Sequence, residues 1–256
     1  MPEVKPLFSI VTVTYNALTT LPATAASVAE QTCDLYEWIV VDGASTDGTV
    51  DMIRNLPSDR MRWISERDQG IYDAMNKGIS MAQGEYLIFL NAGDRFASPD
   101  TLQQLADAAM DNDFPGVIYG QTEIVDASGK VLGPRHLRAP ENLTLDSFKD
   151  GMTVCHQAFV VLRRISDFYN LKYRFSADYD WCIRCLQHSR RNHYVDDTII
   201  HYLSEGMTTA NMGASLRERF NIMCHYFGTV PTVMRHMKFL KRYINRRSST
   251  ASPNKQ

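Results

Sequence analysis

Leu87-Ile-Phe-Leu90 is an uninterrupted apolar run set between Gly84-Glu-Tyr and Asn91-Ala-Gly-Asp94. Four such residues are too few for a helix of ordinary length. With no polar residue alternating among them, they fit a strand covered on both faces, as in the middle of a parallel sheet. A chain holding such a strand must supply layers on both sides of it. The turn that stops the run puts Asn91 and Asp94 at the carboxyl end of a central strand, where open α/β sheets place their ligands. On its own, that turn need only cap the helix beginning near Ser98-Pro99. A second strand that ends in the same way changes the reading.

Phe8 to Thr14 is a β-branched run closed by Tyr15-Asn16, and Leu18 to Gln31 reads as a helix rich in Ala and Thr. Glu37-Trp-Ile-Val-Val-Asp42 is a second buried strand, followed by a helix from Thr49 to about Leu56 that Pro57 ends. Arg62 to Ser65 is a short third strand. Ile71, Ala74, Met75, Gly78, Ile79 and Ala82 then recur at helical spacing, with Gly84 placed as a C-cap. This alternation predicts an α/β fold with a mostly parallel central sheet and right-handed crossovers.

Further along, Thr101 to Met110 reads as a helix, Gly116 to Tyr119 as a strand, and Thr122–Asp126 with Lys130–Leu132 as a hairpin. Residues 133 to 155 read as a long loop, Val154 to Val161 as a strand, Ala177 to about His188 as a helix, and Tyr194 to Tyr202 as a last strand.

At 256 residues and 44% hydrophobic, the chain can bury a full core. No run approaches the ~18 apolar residues of a membrane span. The N-terminus enters a strand without a signal-peptide pattern, which predicts a cytosolic protein. Five cysteines without framework spacing agree with a reducing compartment, and Cys182-Ile-Arg-Cys185 lies in a helical pattern as core residues. Charge is unevenly placed. Net charge is −2, yet eight basic and no acidic residues follow Glu218. That asymmetry points to an anionic surface as partner for the tail alone, and no nucleic acid is expected.

Asp42 and Asp94 end two strands, and Asp47 and Asp68 sit in adjacent turns. Acids converging at one sheet edge repel unless a cation compensates, which favours Mg²⁺ or Mn²⁺ with a phosphate-bearing substrate. The first turn lacks the G-x-G-x-x-G of dinucleotide folds, and no P-loop pattern ends in Gly-Lys-Ser/Thr. Dehydrogenase and kinase readings are therefore weak.

Four ordered motifs carry a resemblance: Ser9-Ile-Val-Thr-Val-Thr-Tyr-Asn16, Val41-Asp-Gly-Ala-Ser-Thr-Asp-Gly-Thr49, Asp68-Gln-Gly-Ile-Tyr-Asp-Ala-Met-Asn-Lys-Gly78 and Gly84 to Asp94. Together they resemble the family 2 glycosyltransferases, with a closer likeness to colanic-acid and other exopolysaccharide transferases. The resemblance implies a GT-A fold, an NDP-sugar donor, a divalent metal and inversion at the anomeric carbon. By position, Tyr15 and Asp42 would hold the nucleoside, Asp68 would belong to the same pocket, and Asn91 and Asp94 would face the diphosphate, with Asp94 on the metal. The family commonly has an Asp-x-Asp element, whereas this chain keeps one carboxylate after Asn91-Ala-Gly93. Met75 stands where an Arg is often found, so Lys77 or Arg67 would supply charge to the phosphates.

The resemblance also implies a general base at the start of a helix after the acceptor loop. Asp178 fits, with Asp180 as second choice because a carboxylate two residues on points away in a helix. His156 is expected near the donor, and His201 is a further candidate for the metal. The implied activity is transfer to a lipid-linked oligosaccharide on the cytoplasmic face of a bacterial membrane. A non-catalytic nucleotide-sugar-binding subunit and a sugar-phosphate nucleotidyltransferase are the alternatives.

The expected organisation is a catalytic domain over 1–215, split into a nucleotide-sugar half (1–110) and an acceptor half (111–215). A helical extension (216–247) and a disordered tail (248–256) would follow. In the extension, Val230, Val233, Met234, Met237, Leu240 and Ile244 share one face with Arg235, Lys238, Arg242 and Arg246 opposite, a pattern that can lie on an anionic bilayer.

Overall fold

A computed structural model of the chain describes residues 5–57, 59–204 and 212–237. Strands β1 (Phe8–Thr14), β2 (Tyr36–Asp42), β3 (Met61–Ser65) and β4 (Tyr86–Phe89) lie in the order β3-β2-β1-β4, and every pairing among them is parallel. Helices α1 (Leu21–Ala29), α2 (Thr49–Arg54) and α3 (Ile71–Met81) connect them in turn.

Successive residues of a strand point to opposite faces, and both faces are covered. Val11, Val13, Ile39, Val41, Leu87 and Phe89 pack on one side with Ala74 and Met75 of α3. Ile10, Trp38, Val40, Ile88 and Leu90 pack on the other with α1 and with α4 (Thr101–Asp111). The continuous apolar run at the centre of the sheet follows from this double burial.

Two local readings change. Helix α1 begins at Leu21 rather than Leu18, because the Ala17 and Leu18 N–H groups bond to Thr49 Oγ1 (2.9 Å) and Asp47 Oδ2 (3.1 Å). Helix α3 is capped at Ala82, not Gly84. Gly84 is needed for close approach instead, since a Cβ there would lie 2.7 Å from the backbone of Phe8 and Ser9.

Beyond β4 the sheet is mixed rather than mostly parallel. β8 (Phe159–Leu162) runs antiparallel to β4 and to β6 (Val117–Val125), while β9 (Asn192–Leu203) runs parallel to β6. The two-residue β5 (Arg95–Phe96) lies antiparallel to β9. β7 (Val131–Pro134) closes the expected hairpin on β6, with Asp126 Oδ1 accepting the Ser128 and Lys130 N–H groups in its turn. The segment before β8 carries only 3-10 turns at Leu145–Asp150 and His156–Ala158. Without a crossover helix there, no parallel connection is made. The strand read from Val154 accordingly starts only at Phe159.

Helix α5 (Ala177–His188) begins and ends as expected. Helix α6 (Met212–Phe227) spans the anticipated boundary at 215/216. Its Ser215, Ile222 and Met223 are buried, so this helix packs into the main body of the fold. A helical stretch over 229–237 follows Gly228. Residues 238–247 of the extension, the 248–256 tail and the loop over 205–211 lie outside the described residues. Cys182 and Cys185 are buried, free thiols of the core.

Candidate active site

Parallel register sets the carboxyl ends of β1 and β2 side by side, with Thr14 opposite Asp42. Both following turns contain non-glycine residues in the left-handed region, Asn16 (φ 48) and Ala44 (φ 62). That conformation is costly and persists only where surrounding bonds impose it. Here they do: Asn16 N–H donates to Ser45 Oγ (2.7 Å), and Asn16 Oδ1 accepts the Thr46 N–H (2.9 Å). Asp47 belongs to the same stitching through Leu18 and Thr49, and the Thr49 hydroxyl is the main cause that holds its carboxyl below the usual range.

Asp42 is fully buried, and its carboxylate accepts the Ser45 N–H (2.9 Å) and the Ser45 and Ser65 hydroxyls. Tyr15, by contrast, is 67% exposed. A Cβ added at Gly43 would lie 2.6 Å from Asp68 Oδ2 and 3.3 Å from the Tyr15 ring, so both side chains close over the glycine that follows Asp42. Asp68 Oδ1 accepts the Gly70 N–H (2.9 Å) at the start of α3. Tyr15, Asp42 and Asp68 thus form one wall, with an aromatic face in solvent and a carboxylate fixed beneath it. Lys77 stands apart, its ammonium paired to Glu66 (2.9 Å) and to the Arg67 carbonyl (2.8 Å).

Asp94 is buried, and among the described residues no cationic side chain is its partner. Oδ2 accepts the Gln157 amide (2.8 Å) and Oδ1 the Leu203 N–H (3.0 Å). Burial outweighs both bonds and pushes its pKa up to about 7. Gly93 (φ +106) lies against Leu203, whose Cδ2 would be 2.6 Å from a Cβ at that position. The Asn91 side-chain oxygen is buried and has no hydrogen-bond partner. Among the described residues no three His, Cys, Asp or Glu side chains gather around a common point. These residues fit a divalent cation that brings most of its oxygen ligands on its substrate: Asp94 and Asn91 would hold it from the protein side. His201 faces elsewhere, 3.5 Å from Glu123.

His156 lies on a 3-10 turn, 5% exposed, against Phe89, Tyr169 and Trp181, with Nε2 bonded to the Tyr169 hydroxyl. The neighbour that reaches the site is Gln157. Desolvation lowers the His156 pKa to about 4, and nearby Asp178 opposes this. In the unfolded chain the ring protonates near 6.5, so the unfolded state binds the extra proton between those values. Stability should therefore fall as pH drops from about 6.5 to about 4, by about 3 kcal/mol in all. His156→Gln should flatten that limb in urea unfolding at a series of pH values. An unchanged slope would assign the acid sensitivity elsewhere.

Asp178 sits in the first turn of α5. Its Oδ1 accepts the Tyr179 N–H (2.9 Å) and the Tyr72 hydroxyl (3.1 Å) from α3. Asp180 points inward, 2% exposed, paired with Arg184 (3.0 Å) and the Tyr226 hydroxyl (2.9 Å). Tyr202 lies within electrostatic reach of Asp94 and Asp178: burial raises its phenol first, and Asp94, Cys155 and Asp178 follow in that order. A cavity of about 1050 Å³ lies at the opposite end of the sheet near Glu85, Gly116 and Arg190 and contains none of these residues. Tyr72 and Gln157 have no local signature of function, since their partners lie 106 and 63 positions away.

A family model described as Glycosyl transferase family 2 matches residues 9–168. The PGL/p-HBAD biosynthesis glycosyltransferase of Mycobacterium bovis (strain BCG / Pasteur 1173P2) is 37% identical over 187 residues, covering 70% of each chain. TuaG of Bacillus subtilis (strain 168), named for teichuronic acid biosynthesis, is 32% identical over 145 residues, or 56% of each. The fold is similar to that of S. aureus TarS 1-349, solved in complex with UDP-GlcNAc: TM-score 0.67 over 93% of this chain and 72% of that one, at 17% identity.

Proposed function

The chain belongs to glycosyl transferase family 2 and is a glycosyltransferase, and from that premise we propose that it inverts the anomeric carbon of an NDP-sugar while transferring the sugar to a saccharide acceptor of a bacterial surface glycan. The observation that carries this reading is the bond from Tyr72 to Asp178. The opening of α3 presents Asp68 beside Tyr15 and Asp42, and its first turn also holds the carboxylate that would serve the acceptor. Donor wall and base are thereby fixed to one element.

In this reading the Tyr15 ring stacks on the nucleoside base and Asp42 accepts a hydrogen bond from it. Among the described residues both bonds to Asp178 go to Oδ1, which leaves Oδ2 for the acceptor hydroxyl. Oδ2 takes the proton as the hydroxyl oxygen attacks the anomeric carbon. The bond from that carbon to the diphosphate oxygen breaks on the opposite face, and the NDP leaves with the electron pair. A Mg²⁺ or Mn²⁺ ion at Asp94 and Asn91, when bound, supplies positive charge to the departing diphosphate.

The acceptor we propose is lipid-linked, with the protein held at an anionic membrane surface. Val230, Val233, Met234 and Met237 are exposed along the 229–237 helix, while Arg235 pairs with Asp150 at the surface (2.8 Å) and Thr232 is buried. Among the described residues no helix is long and apolar enough to cross a membrane, so the contact would be peripheral.

Thermal unfolding with UDP-, GDP- and dTDP-sugars, each with and without Mn²⁺, tests the donor. One base class should stabilise the protein by about 3 kcal/mol at a hundred times its Kd, because ligand binds only the folded state. The same protein should sediment with phosphatidylglycerol vesicles. No response to any nucleotide sugar would overturn the donor reading.

A further inference from the structure

Glu218 is the last acidic residue of the chain and lies on α6, 40 positions after Asp178. Its carboxylate accepts three successive backbone N–H groups: Arg174 (2.9 Å) on Oε1, and Phe175 (2.8 Å) and Ser176 (3.0 Å) on Oε2. Ser176 is the N-cap of α5, and Asp178 follows two residues later. We propose that Glu218 is a positioning residue for the base Asp178, acting through the backbone it clamps. This inference rests on the assignment of Asp178 given above.

Three adjacent N–H groups pointing to one side form a concavity that selects an anion. Here the anion is supplied from a distant helix rather than by the N-cap. Ser176 makes no capping bond within α5, and its hydroxyl donates instead to the Ser215 carbonyl (3.1 Å). Ser215 precedes Glu218 by three residues and Tyr226 follows it by eight, so all three lie along one face of α6. Tyr226 donates to Asp180 (2.9 Å). Helix α6 is thus tied to the chain on both sides of Asp178, at residues 174–176 before it and at Asp180 after it. Among the described residues Asp178 itself receives the Tyr72 hydroxyl and the local Tyr179 N–H. Release of the loop at 174–176 would leave these two bonds to hold the carboxylate.

Glutamine at 218 cannot accept all three N–H groups, because one oxygen becomes an NH₂ donor. A misplacement of about 1 Å at a reacting group can cost ~10²-fold in rate. In the full chain, Glu218→Gln should therefore lower turnover by about 10- to 100-fold, read as NDP release from the nucleotide sugar that stabilises the protein, with NDP affinity unchanged. Glu218→Asp, which keeps the charge, should recover part of the loss. In an Asp178→Asn background Glu218→Gln should change the residual rate less than about twofold, because two residues acting through one group are not additive.

Turnover within twofold of wild type in Glu218→Gln, or full additivity in the double variant, would overturn the inference while a slow Asp178→Asn protein keeps the base assignment. A fully active Asp178→Asn protein would instead remove the premise. Should Glu218→Gln not fold, Glu218→Asp carries the same comparisons: additivity with Asp178→Asn overturns the inference, and its absence supports it.

Discussion

Asp178→Asn is expected to slow sugar transfer by about 10²- to 10⁴-fold, the usual worth of a general base, with nucleotide-sugar affinity unchanged. The amide keeps the volume, and its oxygen can still accept the Tyr179 N–H and the Tyr72 hydroxyl. Any loss of stability should stay near 1 kcal/mol or below. The contrast is Asp180→Asn. Asp180 is 2% exposed and carries the Arg184 and Tyr226 bonds, so that substitution should cost about 3 kcal/mol of stability and far less in turnover. Single-turnover rates and nucleotide calorimetry on both variants separate the cases. Full activity in Asp178→Asn, or an equal collapse of donor affinity, would move the role to another residue.

Asp94→Asn should abolish the divalent-ion dependence of nucleotide binding, a loss of about 10²-fold or more in the presence of Mn²⁺. The asparagine can keep the Leu203 N–H bond, and Gln157 can turn its amide to match. With no cation beside it, the buried carboxylate gains little from the fold. The unliganded variant should therefore be at least as stable as wild type at neutral pH, which separates loss of the ion from loss of structure. Calorimetry with UDP, with and without Mn²⁺, is the measurement. Unchanged metal dependence would shift the ligand role to Asp42 or Asp68.

What could be read from sequence was fixed by short-range physics. Strands β1, β2 and β4 are apolar on both faces because both are covered, and their polar ends mark Asp42 and Asp94 directly. Asp178 stands out in the sequence through the family resemblance, which implies an acid at the start of that helix, and Asp180 as the acid pointing away from it; that Asp180 turns inward only the structure shows. The segment around His156 shows the limit. The pattern reads as a strand, and the family resemblance sets His156 near the donor. A 3-10 turn buries that ring among aromatics and aims Gln157 at Asp94 instead. Lys77 was read as free charge, but Glu66 and the Arg67 carbonyl already hold it. Neither the two-residue β5, the mixed half of the sheet nor the Glu218 clamp has a periodicity to detect, since each is defined only by partners far along the chain.

The parallel block has a different history from the site it supports. Strands β1 to β4 find one another within the first 89 residues. Asp94 receives its two hydrogen bonds from residues 63 and 109 positions later. Synthesis proceeds from the N-terminus, and contacts between distant residues form late because the loop they close is long. The strands beneath Asp94 therefore have their pairing partners in the chain before Gln157 and Leu203, which bind its carboxylate, have been synthesised. The expected consequence is a folding order in which the parallel strands pair first and Asp94 is buried late, once β9 lays Leu203 across Gly93.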